Sequence, residues 1–435
     1  MPENTDASCA SSPRSDAADK ALAGFNPSRL SGLDRLAAFL PHTGRDYASA
    51  RNADFGPGNH ANVSMLSPYI RHRLILETDV LSAVRDRFAL STAEKFIQEV
   101  FWRTYFKGYL EQRPSIWTTY VTDVRTLTPR LSDDEDLAER YAAAVSAQTG
   151  LTCFDAWVRE LIATGYMHNH ARMWFASIWI YTLGLPWQLG ADFFMRHLLD
   201  GDPASNTLSW RWVGGLHTKG KTYLARPDNI SKYTNGRFDP VHSLARAAPP
   251  LTEPHAHQKC PIPESDTCPN VPYLLLITEE DCAPESLALT HAPRACLTLT
   301  AVDDRSPQAI SETVRLFTHG ALADAAERTS AAFDMRSIDV GMQARSRGWA
   351  AVVAEACADL DVSTIVTAYA PVGPCATQLK TMRSELSEAG ISLHQIRRPL
   401  DDLAWPHATR GFFALKKKIP EVLENLDQMR APRLL

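Results

Sequence analysis

The stretch TGYMHNHARMWFASIWIYTLG, residues 164–184, decides how the first half of the chain is read. Its apolar residues recur at spacings of three and four, the period of a helix with one face on a core. The pattern predicts a helix from Leu161 to Leu183, with Gly184 and then Pro186 as the stop. The same period runs through STAEKFIQEVFWRTYFKGY, residues 91–109. There Ser91 and Glu94 read as a capping box, and Phe96, Val100 and the aromatic pairs as the apolar face. From about Phe25 to Asp239 strand-like alternation is scarce, so this half is expected to be all-helical.

Outward from it the texture changes. ARAAPPLTEPHAHQKCPIPESDTCPN, residues 245–270, holds six prolines and no helical period, and reads as a linker. Beyond it, VPYLLLI from Val271, ACLTLTAV from Ala295, STIVTAY from Ser363 and ISLHQI from Ile391 are short apolar strands. They alternate with helical stretches such as ARSRGWAAVVAEACADL and ATQLKTMRSELSEAG. The expected fold is a helical domain over residues 25–244 followed by a doubly wound α/β domain over 271–435. A polar tail, disordered in this reading, precedes them over residues 1–24.

The 435 residues carry a formal charge of −5, which excludes a general polycation but leaves room for a local basic groove. Of ten tryptophans, eight lie between Trp102 and Trp212, which marks the helical half as chemically special. No window is apolar enough to span a bilayer and the N-terminus lacks a signal-peptide core, so no membrane association is expected. The eight cysteines show no paired framework, and a cytoplasmic setting follows. His255, His257, Cys260 and Cys268 in the linker have irregular spacing, and no metal is assigned.

Four clusters carry candidate chemistry. Ser64 and Ser67, within Asn62-Val-Ser-Met-Leu-Ser-Pro-Tyr69 and preceded by Tyr47 and Arg51, stand at an expected helix start suited to phosphate. Read alone, that segment is also a common helix cap. Glu99, Trp102 and Arg103 are neighbours on one helical face, a carboxylate, an indole and a guanidinium. Asn169, Arg172 and Met173 share another face, flanked by His168 and His170. Asp200 and Asp202 precede a turn, with Asn206, Trp210 and Trp212 after it. That loop lacks the later ligands of a calcium site.

Together, TGYMHNHARMW, LPW and LDGDPASNTLSWRWVGG, followed by Ala225-Arg-Pro-Asp-Asn229 and Lys232-Tyr-Thr-Asn-Gly-Arg-Phe238, resemble the flavin-binding helical domain of the photolyase/cryptochrome family. The resemblance covers roughly residues 25–240. It implies bound FAD, with Tyr47, Ser64 and Ser67 near its phosphates and Arg103 against the flavin. Arg172 and Asp200 match a salt-bridged pair at the ring, Asp202 a further contact, and Asn206 the residue facing flavin N5. Glu99, Trp102, Asn169, Met173 and Trp212 match the pocket that receives a flipped thymine dimer in cyclobutane pyrimidine dimer photolyases. Met173 is the most discriminating of these, whereas His170 replaces a frequent arginine. Trp210 and Trp187 match the first two members of an electron relay; Trp157, Trp174 and Trp179 are open alternatives for the third. Arg211, Lys219, Lys221 and Arg226 offer a basic rim for DNA phosphates.

What the resemblance implies is a light-driven, FAD-dependent deoxyribodipyrimidine photolyase, a carbon–carbon lyase acting on UV-damaged DNA. The rival is a cryptochrome photoreceptor that signals through a protein partner without repair. Ordinary members place the α/β antenna domain first. Here it follows, and Trp405-Pro-His-Ala-Thr-Arg-Gly-Phe-Phe-Ala-Leu-Lys-Lys-Lys-Ile-Pro420 loosely resembles its close. The reversed order is read as a circular permutation, which places strand Val271–Ile277 centrally in a five-stranded sheet packed on the helical half. The resemblance leaves an antenna chromophore open and identifies none.

Overall fold

The computed structural model describes Leu22 and residues 24–430. The expected N-terminal tail thus falls almost wholly outside the described residues, although Leu22 packs against the core.

Twelve α-helices of the described residues build the first half. They are α1 (Arg29–Phe39), α2 (Arg45–Ala50), α3 (Ser67–Arg71), α4 (Glu77–Arg87), α5 (Glu94–Glu111), α6 (Ser115–Asp133), α7 (Glu135–Val145), α8 (Thr152–Thr164), α9 (Asn169–Ser177), α10 (Trp187–His197), α11 (Pro203–Val213) and α12 (Pro227–Tyr233). Two expected elements are corrected. The segment 161–183 is not one helix: α8 ends at Gly165, whose φ of 66° closes it in the left-handed conformation. Residues 166–168 then link to α9, which runs on into one π turn, Ile178–Thr182. The capping box at Ser91 and Glu94 does not form either, because α5 begins at Glu94 with Ala93 at the cap position and no side-chain bond there.

The second half is a parallel sheet of β1 (Leu274–Thr278), β2 (Ala295–Leu299), β3 (Ser337–Asp339), β4 (Thr364–Ala368) and β5 (Ser392–Ile396), in the order β3-β2-β1-β4-β5. β1 is the central strand, paired in parallel with β2 and β4. β3 was not anticipated from sequence; at three residues, with exposed Ser337 and Asp339, it has no apolar run to announce it. The crossovers carry α13 (Glu312–Phe333), α14 (Gly341–Arg347), α15 (Trp349–Asp359) and α16 (Pro374–Glu388). The stretch 344–360, read as a single helix, breaks at Gly348, where φ is 84°. α17 (Pro399–Ala404), the short α18 (Phe413–Lys416) and α19 (Ile419–Arg430) close the chain.

Alternation along the strands assigns the two sheet faces. Leu274 and Leu276 point into a core with Val353, Leu379 and Met382, on the side of α15 and α16. Leu275 and Ile277 point the other way, into a core that also holds Tyr69, Leu74, Phe101 and Tyr105 of the helical half. The two halves therefore share one hydrophobic core, with α13 and α17 to α19 filling it. Gly108 on α5 allows this approach, since a Cβ there would lie 2.7 Å from Trp405 Cδ1. The remaining helices have their own core, built on Trp157, Trp174, Phe175, Trp179 and Phe194.

The proline-rich segment straps both halves. Its Cys260 N–H donates to the Gln112 carbonyl at 2.8 Å, and Asp266 exchanges bonds with the Gln395 backbone on β5 at 3.1 and 2.8 Å. The second contact blunts an open sheet edge.

Candidate active site

The loop between α10 and α11 organises the site. Asp202 caps α11, its carboxylate accepting from the Ser205 N–H at 2.8 Å. Two residues earlier, Asp200 meets both Nη atoms of Arg172 at 3.0 Å, a bidentate pair between this loop and α9. Arg172 is oriented further by its Nε, which donates to the Met167 carbonyl at 2.9 Å. Arg103 on α5 reaches Asp202 at 3.4 Å. Burial alone would raise both carboxyls. The Arg172 and Arg103 guanidiniums with the Ser67 hydroxyl hold Asp200 below the usual range. Lys107, Arg103 and Arg71 lower Asp202 to about 2. Both aspartates are thus anions at neutral pH, inside a ring of cations.

The serine segment differs from expectation. α3 starts at Ser67 with Leu66 at the cap position, and neither serine caps it. The Ser67 hydroxyl serves Asp200 instead, while Ser64 Oγ accepts weakly from the Leu66 N–H at 3.4 Å. Tyr47 stands edge-on to Phe96 at 5.0 Å, beside Arg51 and Glu99. Asn206 is buried and donates its amide to the Ala191 carbonyl at 2.8 Å.

On α5, Glu99 is bound by Arg51 in a short ion pair, a partner only the fold supplies. Desolvation raises the Glu99 carboxyl above its ordinary value, and Arg51 opposes that rise. Trp102 is half-buried, with Phe412 from the second half stacked on it at 3.9 Å and 13°. Trp212, also half-buried, stacks at 5.6 Å on Tyr223 rather than on Trp102. Asn169 is exposed at the first turn of α9 and Met173 is half-buried one turn later. His170 donates from Nδ1 to the Asn52 carbonyl at 2.9 Å and stacks on Trp174 at 4.1 Å.

Trp187 and Trp210, the expected relay pair, are both buried. Trp187 stacks on Tyr120 at 5.8 Å, and Tyr120 meets Trp117 at 5.2 Å. Trp210 touches Trp179 at 6.2 Å in a T shape, and Gly190 lets it in, since a Cβ would lie 2.3 Å from its ring. Trp157, Trp174 and Trp179 are all at most 1% exposed, so none of them reaches solvent as a relay exit.

The expected basic rim is corrected at one position. Arg211 is buried and held by both oxygens of Glu253 at 2.7 and 2.8 Å, so it faces the proline-rich strap and not solvent. Sequence spacing could not show this, because its partner lies 42 residues away. Lys219, Lys221 and Arg226 are exposed, with Arg226 3.2 Å from Asp228. Among the described residues no three His, Cys, Asp or Glu side chains converge as metal ligands. His257 bonds Ser115 and Glu253 instead.

Sequence reasoning missed Arg71. Its Nε donates to the Gly201 carbonyl, between Asp200 and Asp202, at 2.9 Å. Its Nη atoms clasp Glu280 of the second half at 2.9 and 2.7 Å. The run Arg71-His72-Arg73 directly after an apolar helix start was the available signal: buried cations need partners.

Three buried polar atoms on these same segments, Asn62 Oδ1, His168 Nε2 and Ser205 Oγ, have no partner among the described residues. With paired carboxylates, guanidiniums and hydroxyls around them, the donor set fits a dinucleotide with phosphates, hydroxyls and a heterocycle.

Residues 96–248 match the family model described as the FAD binding domain of DNA photolyase. Deoxyribodipyrimidine photo-lyase of Streptomyces griseus is 32% identical over 180 residues, 38% of this chain and 38% of that protein. The photo-lyase of Thermus thermophilus is 33% identical over 203 residues, 46% and 45% of the two chains. Cryptochrome DASH of Oryza sativa is 30% identical over 172 residues, 39% of this chain and 29% of that one. A solved class III photolyase from Agrobacterium tumefaciens superposes with a TM-score of 0.40 at 27% identity, covering 48% of this chain and 43% of its own. The matches span less than half the length of each of these relatives. Over residues 96–248 the helical half is similar to the FAD-binding domain of DNA photolyase. Among the described residues no helix is long and apolar enough to cross a membrane.

Proposed function

We propose that this protein is a light-driven deoxyribodipyrimidine photolyase that splits cyclobutane pyrimidine dimers in DNA, working in the cytoplasm. The observation that carries the reading is the convergence on α5 and the 199–202 loop. Arg103 faces the Asp202 carboxylate at 3.4 Å, while Trp102 and Glu99 flank it on the same helix.

Arg103, Arg172, Asp200, Asp202 and Asn206, with Tyr47, Ser64 and Ser67 for the phosphates, would hold FAD, which when bound would supply the light-absorbing electron donor. Arg172 and Arg103 place positive charge where a reduced, negatively charged ring is favoured. Asp200 and Asp202 fix those guanidiniums so that they do not reorganise. Trp102 and Trp212 offer apolar ring surface to a flipped dimer. Glu99 and Asn169 hydrogen-bond its base edges, and Met173 closes the apolar side. Trp210 and Trp187 form the start of an electron path toward the surface. We also read the domain order as a circular permutation, supported by the central place of β1 and by the core shared between the halves.

A second reading, a cryptochrome-type photoreceptor with a signalling protein partner, is favoured by Phe412 covering one face of Trp102. Blue-light illumination of the purified, reduced holoprotein with a dimer-containing oligonucleotide separates the two. Recovery of thymine absorbance supports repair. Bound FAD with working photoreduction and no recovery leaves the photoreceptor. Purification without any flavin removes both.

A further inference from the structure

The segment 405–420 is built into the candidate substrate site. The Tyr105 hydroxyl joins two loops at one point: it donates to the Arg410 carbonyl at 2.6 Å and bonds His217 Nε2 at 2.9 Å. His217 belongs to the loop that carries Lys219 and Lys221. Arg113 donates to the Thr409 carbonyl at 2.8 Å, and Phe412 lies flat on Trp102. The backbone of 409–412 is therefore fixed against α5, one helical turn from Glu99.

On this fixed segment the side chains divide. Phe412 is buried, whereas Phe413 next to it is 73% exposed. Lys416 pairs with Glu94 at 3.1 Å and Lys418 with Glu421 at 2.6 Å. Arg410 and Lys417 are exposed and, among the described residues, have no carboxylate partner. A lone exposed aromatic is ordinary on a protein surface. Here it lies in the chain between the exposed cations Arg410 and Lys417, adjacent to a residue stacked on Trp102. Aromatic faces for bases with cations for phosphates are what a locally unpaired DNA strand recognises.

We propose that the second half supplies part of the DNA interface, with Phe413 as a stacking contact for a base and Arg410 and Lys417 as phosphate contacts. They extend the rim of Lys219 and Lys221 across the boundary between the halves. The proposal rests on DNA being the substrate, and it adds a contact surface outside the matched FAD-binding region.

The test is dark binding of a labelled dimer-containing oligonucleotide to the holoprotein, by fluorescence anisotropy over a salt series. Phe413→Ala is expected to weaken binding roughly 5- to 100-fold with the salt slope unchanged, and Phe413→Trp to restore it. Arg410→Ala/Lys417→Ala is expected to flatten the slope by about 1 to 2, from about 0.7–0.9 per phosphate lost. Wild-type affinity and slope in these variants, with weaker binding by Lys219→Ala/Lys221→Ala, would overturn the proposal and leave DNA binding intact. A wild-type protein that binds no DNA removes the photolyase reading and this one with it. If Phe413→Ala turns a dimer into a monomer at unchanged DNA affinity, the residue is a contact between copies and the proposal fails.

Discussion

Replacing Glu280 with alanine is expected to loosen the flavin site from the other half of the molecule. The Arg71 and Glu280 side chains are 1% and 4% exposed, and two charged N–H···O bonds of 2.9 and 2.7 Å join them. Removing one partner of such a pair leaves a buried charge and costs about 3–5 kcal/mol. Arg71 would keep its bond to the Gly201 carbonyl and the field of Asp202, so the low end, about 3 kcal/mol, is expected. That corresponds to a factor of about 100 in the folded population. The guanidinium, freed on one side, would swing toward Asp202 and compete with Arg103 and the Ser205 N–H for its oxygens. FAD should then dissociate about tenfold more readily, a loss of about 1.4 kcal/mol. The assay is urea unfolding of the holoprotein, with flavin fluorescence reporting release and tryptophan fluorescence reporting unfolding. Glu280→Gln, which keeps hydrogen-bonding capacity, should lie between the two, and Arg226→Gln at an exposed pair should behave as wild type. A Glu280→Ala midpoint equal to wild type would refute the coupling. So would a large loss of stability with flavin retention unchanged until the chain unfolds, because the Gly201 link would then carry nothing.

Other outcomes follow from single sites. Glu99→Gln should fold normally, since Glu99 is partly exposed, yet lower the quantum yield of thymine recovery severalfold; equal yields would remove Glu99 from the substrate contacts. Trp210→Phe should slow photoreduction at least tenfold in transient absorption while leaving repair by chemically reduced protein intact; equal rates would put the electron path elsewhere. Burial raises Glu111 to about 7 against the pull of the Val372 N–H and Tyr369 hydroxyl, and burial raises Glu279 to about 7 with Glu280 adding to it. For an acid whose folded pKa is raised, the associated stability is full below the unfolded value near 4.5 and is lost as pH rises through 7. The histidines His168, His197 and His217, lowered by burial to about 4, act in the opposite sense below about pH 6.5. The difference between variant and wild type therefore isolates Glu111. The Glu111→Gln thermal midpoint should gain on wild type as pH rises from about 5 to 8, and a constant difference contradicts the assignment.

Much of the helical half was legible because its information is local. The Arg172–Asp200 pair was legible only through the resemblance of the motifs that carry the two residues, and the capping role of Asp202 was not read from sequence at all. What failed locally did so for identifiable reasons. Gly165 and Gly348 take up positive φ inside runs whose apolar period continues through them, so periodicity alone reads past the break. Ser91 sits in a turn three residues ahead of α5, and its spacing to Glu94 mimics a capping box without the backbone geometry. Other contacts are long-range and were not legible. Arg51 on Glu99, Glu253 on Arg211 and Phe412 on Trp102 each join side chains whose pairing depends on the folded path.

Those long-range contacts change what the tryptophan-rich half is. Taken alone, α5 presents a carboxylate, an indole and a guanidinium to solvent. In the folded chain each has a partner from elsewhere: Arg51 for Glu99, Phe412 for Trp102, and Asp202 for Arg103, itself fixed from behind through Arg71 and Glu280. Two of these three supports reach back to the second half. A C-terminal α/β half added only as an appendage would have no reason to bury an arginine beneath the 199–202 loop or to lay a phenylalanine on the indole. Its contacts are those of a component of the site. Separating the halves at the strap should therefore cost flavin retention as well as stability.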